Sequence, residues 1–205
     1  MKVLLTGFEP FGGESINPSW EAVKKVEVEG VELVKRKLPV SFKRVRGELP
    51  AIILEERPDV VILTGLAGGR PNITVERVAI NVMDARMDDN DGYKPEDEPV
   101  VEGGPDAYFS TLPIKAIIKA HRNAGIPSAV SNTAGTYVCN TAMYVALHTV
   151  KTHGLDTIAG FIHVPYIPEQ VLEKGAPSMP LDMIVKAIEI AVRVSVEHKL
   201  YRPER

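Results

Sequence analysis

The residues of this chain that could carry covalent chemistry are one cysteine, five histidines and a glutamate in an apolar segment. Cys139, the only cysteine, follows a short apolar run broken by Gly135 and opens a stretch of helical periodicity. The first turn of a helix has unpaired N–H groups and a partial positive charge, which favour a thiolate. A lone cysteine is usually a small buried hydrophobe, so the roles of nucleophile and packing residue both remain open.

A thiol nucleophile needs a base, and helix geometry screens the histidines. His148 lies nine residues beyond Cys139 on the same predicted helix and therefore points to the opposite face. His153 has nearly the same phase as the thiol but lies about 21 Å further along the axis. His121 and His198 fall beside charged or polar residues of two other predicted helices, which indicates a surface position for both.

His163 is the remaining candidate base. It ends an apolar run typical of a central strand, and Pro165 stops that run. In open α/β sheets, ligands bind at the carboxyl ends of the strands. If the strand before Cys139 runs parallel to the strand of His163, the thiol and the imidazole meet at one edge of the sheet. A core histidine bonded to the backbone is the alternative.

The group that orients a histidine base is normally a carboxylate or an amide. Glu76 is the candidate, because it lies within the β-rich run 73–81 and has apolar residues on both sides. A solvated Glu76 paired with the neighbouring Arg77 explains the same spacing. The residues alone leave both interpretations open.

The elements that must position these groups follow from periodicity. Short apolar runs alternate with stretches of helical period, which predicts an α/β fold with a mostly parallel sheet covered by helices on both faces. The predicted strands are 2–7, 31–38, 59–65, 73–80, 127–131 and 156–164, and the predicted helices are 18–26, 42–56, 114–123, 137–152 and 181–198. A chain of 205 residues is expected to form one domain, 1–205.

The segment 84–104 differs from the rest of the chain, because it is rich in turn residues and charge and has little apolar periodicity. It predicts a long loop or a small hairpin. A loop of this length in a compact domain is often an active-site cover or a subunit contact. Its acidic residues do not have the spacing of a calcium-binding loop, so no metal site is expected there.

Composition bounds the partners and the compartment. The formal net charge of −3 argues against a general polyanion-binding surface, so no nucleic acid is expected. No apolar stretch approaches the roughly 18 residues of a membrane span, and the apolar run at the N-terminus is too short for a signal peptide. One cysteine cannot form an intramolecular disulfide. We therefore expect a cytoplasmic protein with no membrane partner.

Several further segments form an ordered set of motifs along nearly the whole chain. They are 6–13, 17–18, 65–70 with 73–81, 84–86, 108–113, 131–140 and 161–166. This set closely resembles the pyroglutamyl-peptidase I family of cysteine peptidases, also called pyrrolidone-carboxylate peptidases. One glycine-rich loop would be weak support, whereas several ordered motifs with all three catalytic residue types are specific. The resemblance implies a three-layer α/β/α sandwich of the phosphorylase/hydrolase-like kind.

The same resemblance implies an exopeptidase that removes an N-terminal pyroglutamyl residue from peptides. Carried over by motif, Cys139 is the nucleophile, His163 the base and Glu76 the orienting carboxylate. His163 would take the thiol proton, the thiolate would attack the pyroglutamyl carbonyl, and water would hydrolyse the thioester. The backbone N–H of Cys139 is a natural donor to the oxyanion.

The implied substrate ring is a small uncharged lactam, which suits a flat apolar slot with a few backbone hydrogen bonds. By motif match, the substrate-binding candidates are Phe8, Phe11, Asn17, Leu66, Arg86, Met87, Tyr137 and Val138. Leu66 replaces a glutamine found in many bacterial members, so a lactam contact there would use backbone groups. Asn17 is expected to fix the pocket loop, and Arg86 either assists the nucleophile or orders its own loop.

Family members are commonly homotetramers that need no metal or organic cofactor, so a homo-oligomer without cofactor is expected here. The candidate contact segments are 84–104 and 155–167. Two other functions remain as hypotheses. A nucleoside phosphorylase-like or hydrolase-like enzyme on a related fold would not need Cys139, and a non-catalytic binding module would use it only for packing.

Overall fold

The computed structural model describes residues 1–201, and its core is a six-stranded sheet. The strands of that sheet and of a separate two-stranded sheet are β1 (Lys2–Phe8), β2 (Glu32–Leu38), β3 (Val60–Leu66), β4 (Ile73–Glu76), β5 (Val78–Ile80), β6 (Ala107–Phe109), β7 (Ser128–Ser131) and β8 (Ile158–Val164). The helices are α1 (Pro18–Lys25), α2 (Phe42–Glu56), α3 (Ile114–Asn123), α4 (Val138–Thr152) and α5 (Leu181–Leu200), with one 3₁₀ turn at Pro168–Gln170.

The strand order of the large sheet is β2-β1-β3-β8-β4-β7. The first four strands run parallel, β4 runs antiparallel to β8, and β7 runs parallel to β4. The prediction of a mostly parallel sheet is therefore confirmed. The strand before Cys139 does not run parallel to the strand of His163, so that condition is not met: the reversed β4 lies between them and turns β7 the other way.

Helices cover both faces of the sheet, as the alternating pattern predicts. On one face α2 packs on α4 over a core that includes Phe8, Phe42 and Phe161. On the other face α1 and α3 pack on α5 over a second core. Strands β3 and β8 are buried along their whole length, which explains their continuous apolar sequences.

His121 lies inside the second core and not on the surface, so that expectation is wrong. It has no exposed area, and its Nε2 lies 2.8 Å from the carbonyl oxygen of Ala187 on α5. The residues three and four positions earlier, Ile118 and Ile117, are also buried. The histidine therefore belongs to the apolar stripe of α3, which its polar sequence neighbours obscure.

The predicted strand 73–80 is two strands that belong to different sheets. β4 joins the large sheet, whereas β5 pairs with β6, a strand that the sequence did not predict. The break is at Arg77, whose N–H bonds to the Ser131 carbonyl while its carbonyl accepts from Ser110. β6 has three residues, which is too few to show the alternation over four to eight residues that predicts a strand.

The segment 84–104 is a long loop, as predicted, and the buried Asp89 and the exposed Asn90 fix it to the rest of the fold. The carboxylate of Asp89 accepts hydrogen bonds from the N–H groups of Asp91, Tyr93 and Phe42, the last at the start of α2. The Asn90 amide donates to the Glu9 carboxylate at 2.9 Å. The loop is thereby attached to the β1–α1 loop (9–17).

The proposed contact segment 155–167 is largely interior, so its assignment as a subunit surface is wrong. All seven residues of β8, which forms most of this segment, are buried between two neighbouring strands and two helical layers. Large apolar side chains are exposed elsewhere, at Phe109, Leu172 and Leu200 among others. Among residues 1–201, no helix has the length and apolar character that crossing a membrane requires.

Candidate active site

Cys139 is the second residue of α4, and the start of this helix lies over β3. Gly135, at φ 78°, turns the chain into the helix in a conformation that favours glycine. Beneath the thiol is Gly65, where an added Cβ would lie 2.8 Å from Cys139 Sγ. The absence of a side chain on Gly65 therefore makes room for the sulfur.

The strand register brings the thiol beside His163. Gly65 and His163 are partners on the parallel strands β3 and β8, so their side-chain positions point to the same face about 4.8 Å apart. Because the sulfur lies over Gly65, it occupies the position next to the imidazole. Within residues 1–201 the imidazole bonds to Glu76 and forms no hydrogen bond with Sγ. Such contacts often tighten only when substrate is bound.

Glu76 and His163 form a buried pair. The carboxylate has no exposed area and the histidine is 4% exposed, and Nδ1 lies 2.8 Å from Oε1. A carboxylate only accepts, so Nδ1 carries the proton and Nε2 has the free lone pair. The alternative of a solvated Glu76 paired with Arg77 is wrong, because the Arg77 guanidinium is bonded to Asn132 at 2.7 Å.

Arg70 completes this arrangement, and the sequence reasoning missed its role. Its Nη1 donates to Glu76 Oε1 at 2.7 Å and to Thr74 Oγ1 at 2.6 Å. Its Nη2 donates to the carbonyl oxygen of Thr133 at 3.3 Å. The available signal was physical: a carboxylate buried among apolar residues requires a cation, and Arg70 is six residues away in the preceding loop.

Burial sets the charge states of the site. It raises the pKa of the Cys139 thiol to about 12, an effect to which the Glu76 charge adds and Arg70 is opposed. It also lowers the pKa of His163, against the effect of Glu76. For Glu76 burial acts to raise the pKa, but His163, Ser131 and Arg70 together outweigh it and hold the pKa below its usual range.

The resting site is consequently a neutral thiol, a neutral imidazole and an ionised carboxylate. This differs from the expectation that the helix start makes the thiol easy to ionise. Cys139 does lie in the first turn of α4, and part of the residue is exposed, but the packing around the thiol outweighs the helix. The imidazole has the protonation state that a general base needs.

Cys139 also borders a small apolar pocket. The residues that line this apolar pocket are Phe8, Phe11, Asn17, Val40, Leu66, Tyr137, Val138 and Cys139. Six of the eight predicted substrate-binding residues are among them, and Val40 is an addition. The pocket is small: its empty space is about 210 Å³, and this figure includes the part that is open to solvent.

Arg86 and Met87 do not line the apolar pocket. Both are exposed on the loop 84–104, and Met87 Cε would lie 3.4 Å from a Cβ on Gly12 of the β1–α1 loop. Within residues 1–201 the Arg86 side chain forms neither a hydrogen bond nor an ion pair. Val40 was missed because it follows β2 outside the matched motifs, although its N–H bonds to the carboxylate of Glu9.

Hydrogen bonds and aromatic contacts between loops hold the pocket walls. Asn17 accepts from Ser19 and donates to the Glu9 carbonyl at 3.0 Å, so its polar atoms fix the loop, as expected. The Tyr137 ring lies 6.1 Å from the Phe11 ring, and its hydroxyl donates to the Asp88 carbonyl at 3.0 Å.

Asn140, next to the thiol, is a second positioning residue that the sequence reasoning did not identify. It is fully buried, and its amide nitrogen donates to the carbonyls of Ile80 and Val82. Its amide oxygen accepts from the Ile80 N–H. These three bonds attach the start of α4 to the end of β5. They fix the height of Cys139 above the sheet.

Fold and site together define a class: a three-layer α/β protein with a thiol, an imidazole and a carboxylate on one sheet face beside an apolar pocket. That arrangement suits acyl transfer by a nucleophilic thiol. The family model described as pyroglutamyl peptidase matches residues 1–198. The chain belongs to the pyroglutamyl peptidase family, and it is a peptidase.

Individual relatives agree with the family match over nearly the full chain. A pyrrolidone-carboxylate peptidase of Thermococcus onnurineus is 67% identical over 199 residues, covering 96% of this chain and 100% of the relative. One from Bacillus licheniformis is 49% identical over 201 residues, covering 97% and 94%. These relatives favour the peptidase over the phosphorylase-like and binding-module hypotheses.

Solved structures also have the same fold. The pyrrolidone carboxyl peptidase of Thermococcus litoralis superposes with a TM-score of 0.95 at 48% identity, covering 99% of this chain and 96% of that one. The pyroglutamyl peptidase I of Bacillus amyloliquefaciens gives a TM-score of 0.93 at 48% identity, covering 97% and 96%.

Proposed function

We propose that this protein hydrolyses the peptide bond that follows an N-terminal pyroglutamyl residue, with Cys139 as nucleophile, His163 as base and Glu76 as orienting carboxylate. The observation that carries the proposal is the position of Cys139 between two built regions. On one side is the bonded pair of Glu76 and His163, and on the other is a small pocket lined mainly by apolar side chains.

The first chemical step transfers a proton and forms a carbon–sulfur bond. His163 Nε2 takes the proton from Sγ while the sulfur attacks the pyroglutamyl carbonyl carbon. Glu76 then stabilises the imidazolium and holds its orientation. Because burial raises the pKa of the thiol to about 12, the sulfur is a neutral thiol until His163 takes its proton.

The second step breaks the peptide bond. The first helical bond of α4 is from the Thr141 N–H to the Tyr137 carbonyl, so the Cys139 N–H precedes the ladder and can donate to the oxyanion. The imidazolium gives its proton to the leaving amine, and the acyl group remains on sulfur as a thioester. A water, deprotonated by His163, attacks the thioester and releases pyroglutamate and the thiol.

The pocket explains why a lactam is the preferred ring. A pyroglutamyl residue has no free α-amine and no charge, so it needs no ionic partner. The titratable residues that line the pocket are Cys139 and Tyr137, and burial raises the pKa of each to about 12, so neither is charged at neutral pH. The Leu66 side chain is apolar and buried, which leaves backbone groups to bind the lactam. A charged N-terminal residue would lose hydration there without compensation.

The proposed setting is a homo-oligomer in the cytoplasm, with peptide substrates and no cofactor. Support comes from the single cysteine, the family resemblance and exposed apolar side chains such as Phe109, which is 69% exposed. Light scattering coupled to size-exclusion chromatography measures the assembly. A single peak near the monomer mass of 22.4 kDa would contradict the oligomer and leave the reaction unaffected.

The activity is tested with two fluorogenic amides that differ by one oxygen. Under reducing conditions the protein should release the fluorophore from the pyroglutamyl amide and leave the prolyl amide intact. Cys139→Ser should lose at least about a thousandfold in kcat, since a hydroxyl is a much weaker nucleophile than a thiol here. No turnover by the unchanged protein, or full activity of Cys139→Ser, would refute the proposal.

The charge state of the thiol is tested by alkylation. With the thiol pKa raised to about 12, the rate of Cys139 reaction with iodoacetamide should keep rising between pH 6 and pH 9. His163→Ala should slow it, whereas a packing cysteine would be indifferent to this change. An alkylation rate that is flat over the same pH range would show a preformed thiolate and contradict a resting site with a neutral thiol and a neutral imidazole.

A further inference from the structure

The contacts of Glu76 converge on one oxygen. Oε1 accepts from His163 Nδ1 at 2.8 Å and from Arg70 Nη1 at 2.7 Å. Among the described residues, the other oxygen, Oε2, is buried without a hydrogen-bond partner. The carboxylate is therefore held by two donors from different parts of the chain, and only Arg70 carries a permanent charge.

Removal of Arg70 would leave this carboxylate with a neutral imidazole as its one donor. A fully buried carboxylate without a cation takes up a proton, because burial penalises its charged form. A protonated carboxyl group can donate as well as accept. It would no longer require that His163 Nδ1 carry the proton, and the tautomer that leaves Nε2 free would not be fixed.

Arg70 also contacts the segment that leads to the nucleophile. Its Nη2 donates to the Thr133 carbonyl at 3.3 Å, and Ser131 Oγ donates to the same carbonyl at 3.0 Å. This segment continues directly into α4 and Cys139. One guanidinium therefore bonds to the carboxylate on β4 and to the connection between β7 and α4.

We propose that Arg70 is a positioning residue for the hydrolysis: it keeps Glu76 charged and oriented, and through Glu76 it keeps His163 in the tautomer that can accept the thiol proton. The inference rests on the proposed function. Arg70 is distinct from Arg86, which is exposed on the loop 84–104 and was the arginine selected by motif.

The pH dependence has a definite sign. Arg70 from the β3–β4 loop, His163 from β8 and Cys139 from α4 are the charged or titratable groups that face Glu76. Arg70 lowers the pKa of Glu76, and it also lowers the pKa values of His163 and Cys139. Its removal raises the pKa of Glu76. Since the active form has Glu76 ionised and His163 neutral, the acidic limb of kcat/KM moves to higher pH.

The main test compares Arg70→Gln with a matched control, Arg77→Gln, which removes an arginine of the same region that bonds to Asn132. Arg70→Gln should lower kcat about tenfold to a hundredfold, the size of one charge-assisted hydrogen bond, with KM changed less than about threefold. Its acidic limb should move up by about one pH unit. Arg77→Gln should change each quantity less than about twofold.

A double-mutant cycle tests whether Arg70 acts through Glu76. In a Glu76→Gln protein no charge remains to be held, so adding Arg70→Gln should cost less than about threefold. Equal losses in both backgrounds would overturn the proposal, as would an unshifted acidic limb in Arg70→Gln or a matching shift in Arg77→Gln.

Thermal unfolding identifies a variant that does not fold. If Arg70→Gln is unfolded, Arg70→Lys decides, because it keeps the charge without the fork of donors. If Arg70→Lys keeps the acidic limb of the kcat/KM profile where it is and lowers kcat less than about tenfold, the positioning role of Arg70 is supported. A shifted acidic limb in Arg70→Lys overturns it. Alkylation of Cys139 separates this test from the activity. If the unchanged protein is inactive on pyroglutamyl amides, the proposed function fails, but the alkylation rates still test the positioning role. Slower alkylation of Arg70→Gln than of Arg77→Gln supports that role, and equal rates overturn it.

Discussion

The two sides of Cys139 are built by different means. On one side, Glu76 and His163 project from β4 and β8, are buried, and are joined by short hydrogen bonds to each other and to Arg70. On the other side, the pocket walls come mainly from chain segments outside the sheet, such as those of Phe11 and Tyr137. Sheet register therefore fixes the reacting groups, whereas contacts between loops fix the walls of the apolar pocket.

This difference predicts a division of kinetic effects. Changes on the Glu76–His163 side should lower kcat, because those groups interact most strongly in the transition state. Changes on the pocket side should raise KM, because wall residues bind the ring about equally in the ground and transition states. Single substitutions on either side of Cys139 can break this division.

The largest effect is expected for His163→Ala. Without the neutral imidazole, a thiol with a pKa of about 12 has no base, so kcat should fall at least about a thousandfold with KM nearly unchanged. Steady-state kinetics with the pyroglutamyl amide measure this. His153→Ala, an exposed histidine at the end of the same α4 helix, is the control and should keep full activity. A His163→Ala protein with near-normal kcat would remove the base assignment.

A smaller loss is expected for Glu76→Gln, about a hundredfold in kcat. The amide keeps a hydrogen bond to His163 but not the charge that stabilises the imidazolium. Glu55→Gln, which changes an exposed glutamate on α2, is the matched control and should leave kcat and KM unchanged. If Glu76→Gln raised KM and left kcat alone, Glu76 would belong with the pocket and the division between the two sides would fail.

Much of the large sheet was predictable from the sequence, because β1, β3 and β8 are long apolar runs whose environment is the same on both faces. The direction of β7 was not predictable. It depends on β4, whose four residues carry no signal of which neighbours they join. The thiol and the imidazole still meet, because the connection after β7 carries α4 back over Gly65. The premise of parallel strands was wrong, although the predicted neighbours are together.

Within the site, motif matching found the residues that touch the thiol or the ring, but it missed those that hold them. Arg70 and Asn140 were read as parts of motifs, and their partners lie on other strands and loops. Such pairings depend on tertiary structure, so spacing along the chain does not reveal them. Helix phase excluded His148 correctly: its Nδ1 lies 2.9 Å from the Tyr108 hydroxyl, away from Cys139.

On the pocket side, Phe11→Ala should raise KM about tenfold, a loss of about 1.4 kcal/mol of binding. The ring of Phe11 packs against Tyr137, and its removal opens the slot to water. Tyr201→Ala deletes an aromatic ring that is 82% exposed at the end of α5 and serves as the control. A fall in kcat for Phe11→Ala comparable to that of Glu76→Gln would contradict a pure binding role.

A weaker effect on KM, about fivefold, is expected for Asp89→Ala, together with a loss of about 2 kcal/mol in the free energy of unfolding. The buried carboxylate satisfies three backbone N–H groups, including that of Phe42 at the start of α2. Urea denaturation and steady-state kinetics measure the two changes. Asp88→Ala, an exposed neighbour, should alter neither, and equal destabilisation by both variants would contradict the anchoring role of Asp89.

The smallest effect should come from Tyr137→Phe, which removes one hydroxyl and keeps the ring. The lost hydrogen bond, from the hydroxyl to the Asp88 carbonyl, joins the start of α4 to the loop 84–104. A single neutral hydrogen bond contributes about 1 kcal/mol, and only part of that is felt by the substrate, so KM should rise about twofold to threefold with kcat unchanged. Because Tyr137 is the N-cap of α4 and lies two residues before the thiol, its contacts also bear on the position of the nucleophile. A drop in kcat for this variant would therefore show that the loops position the thiol as well as the ring, and that the two sides of Cys139 are coupled.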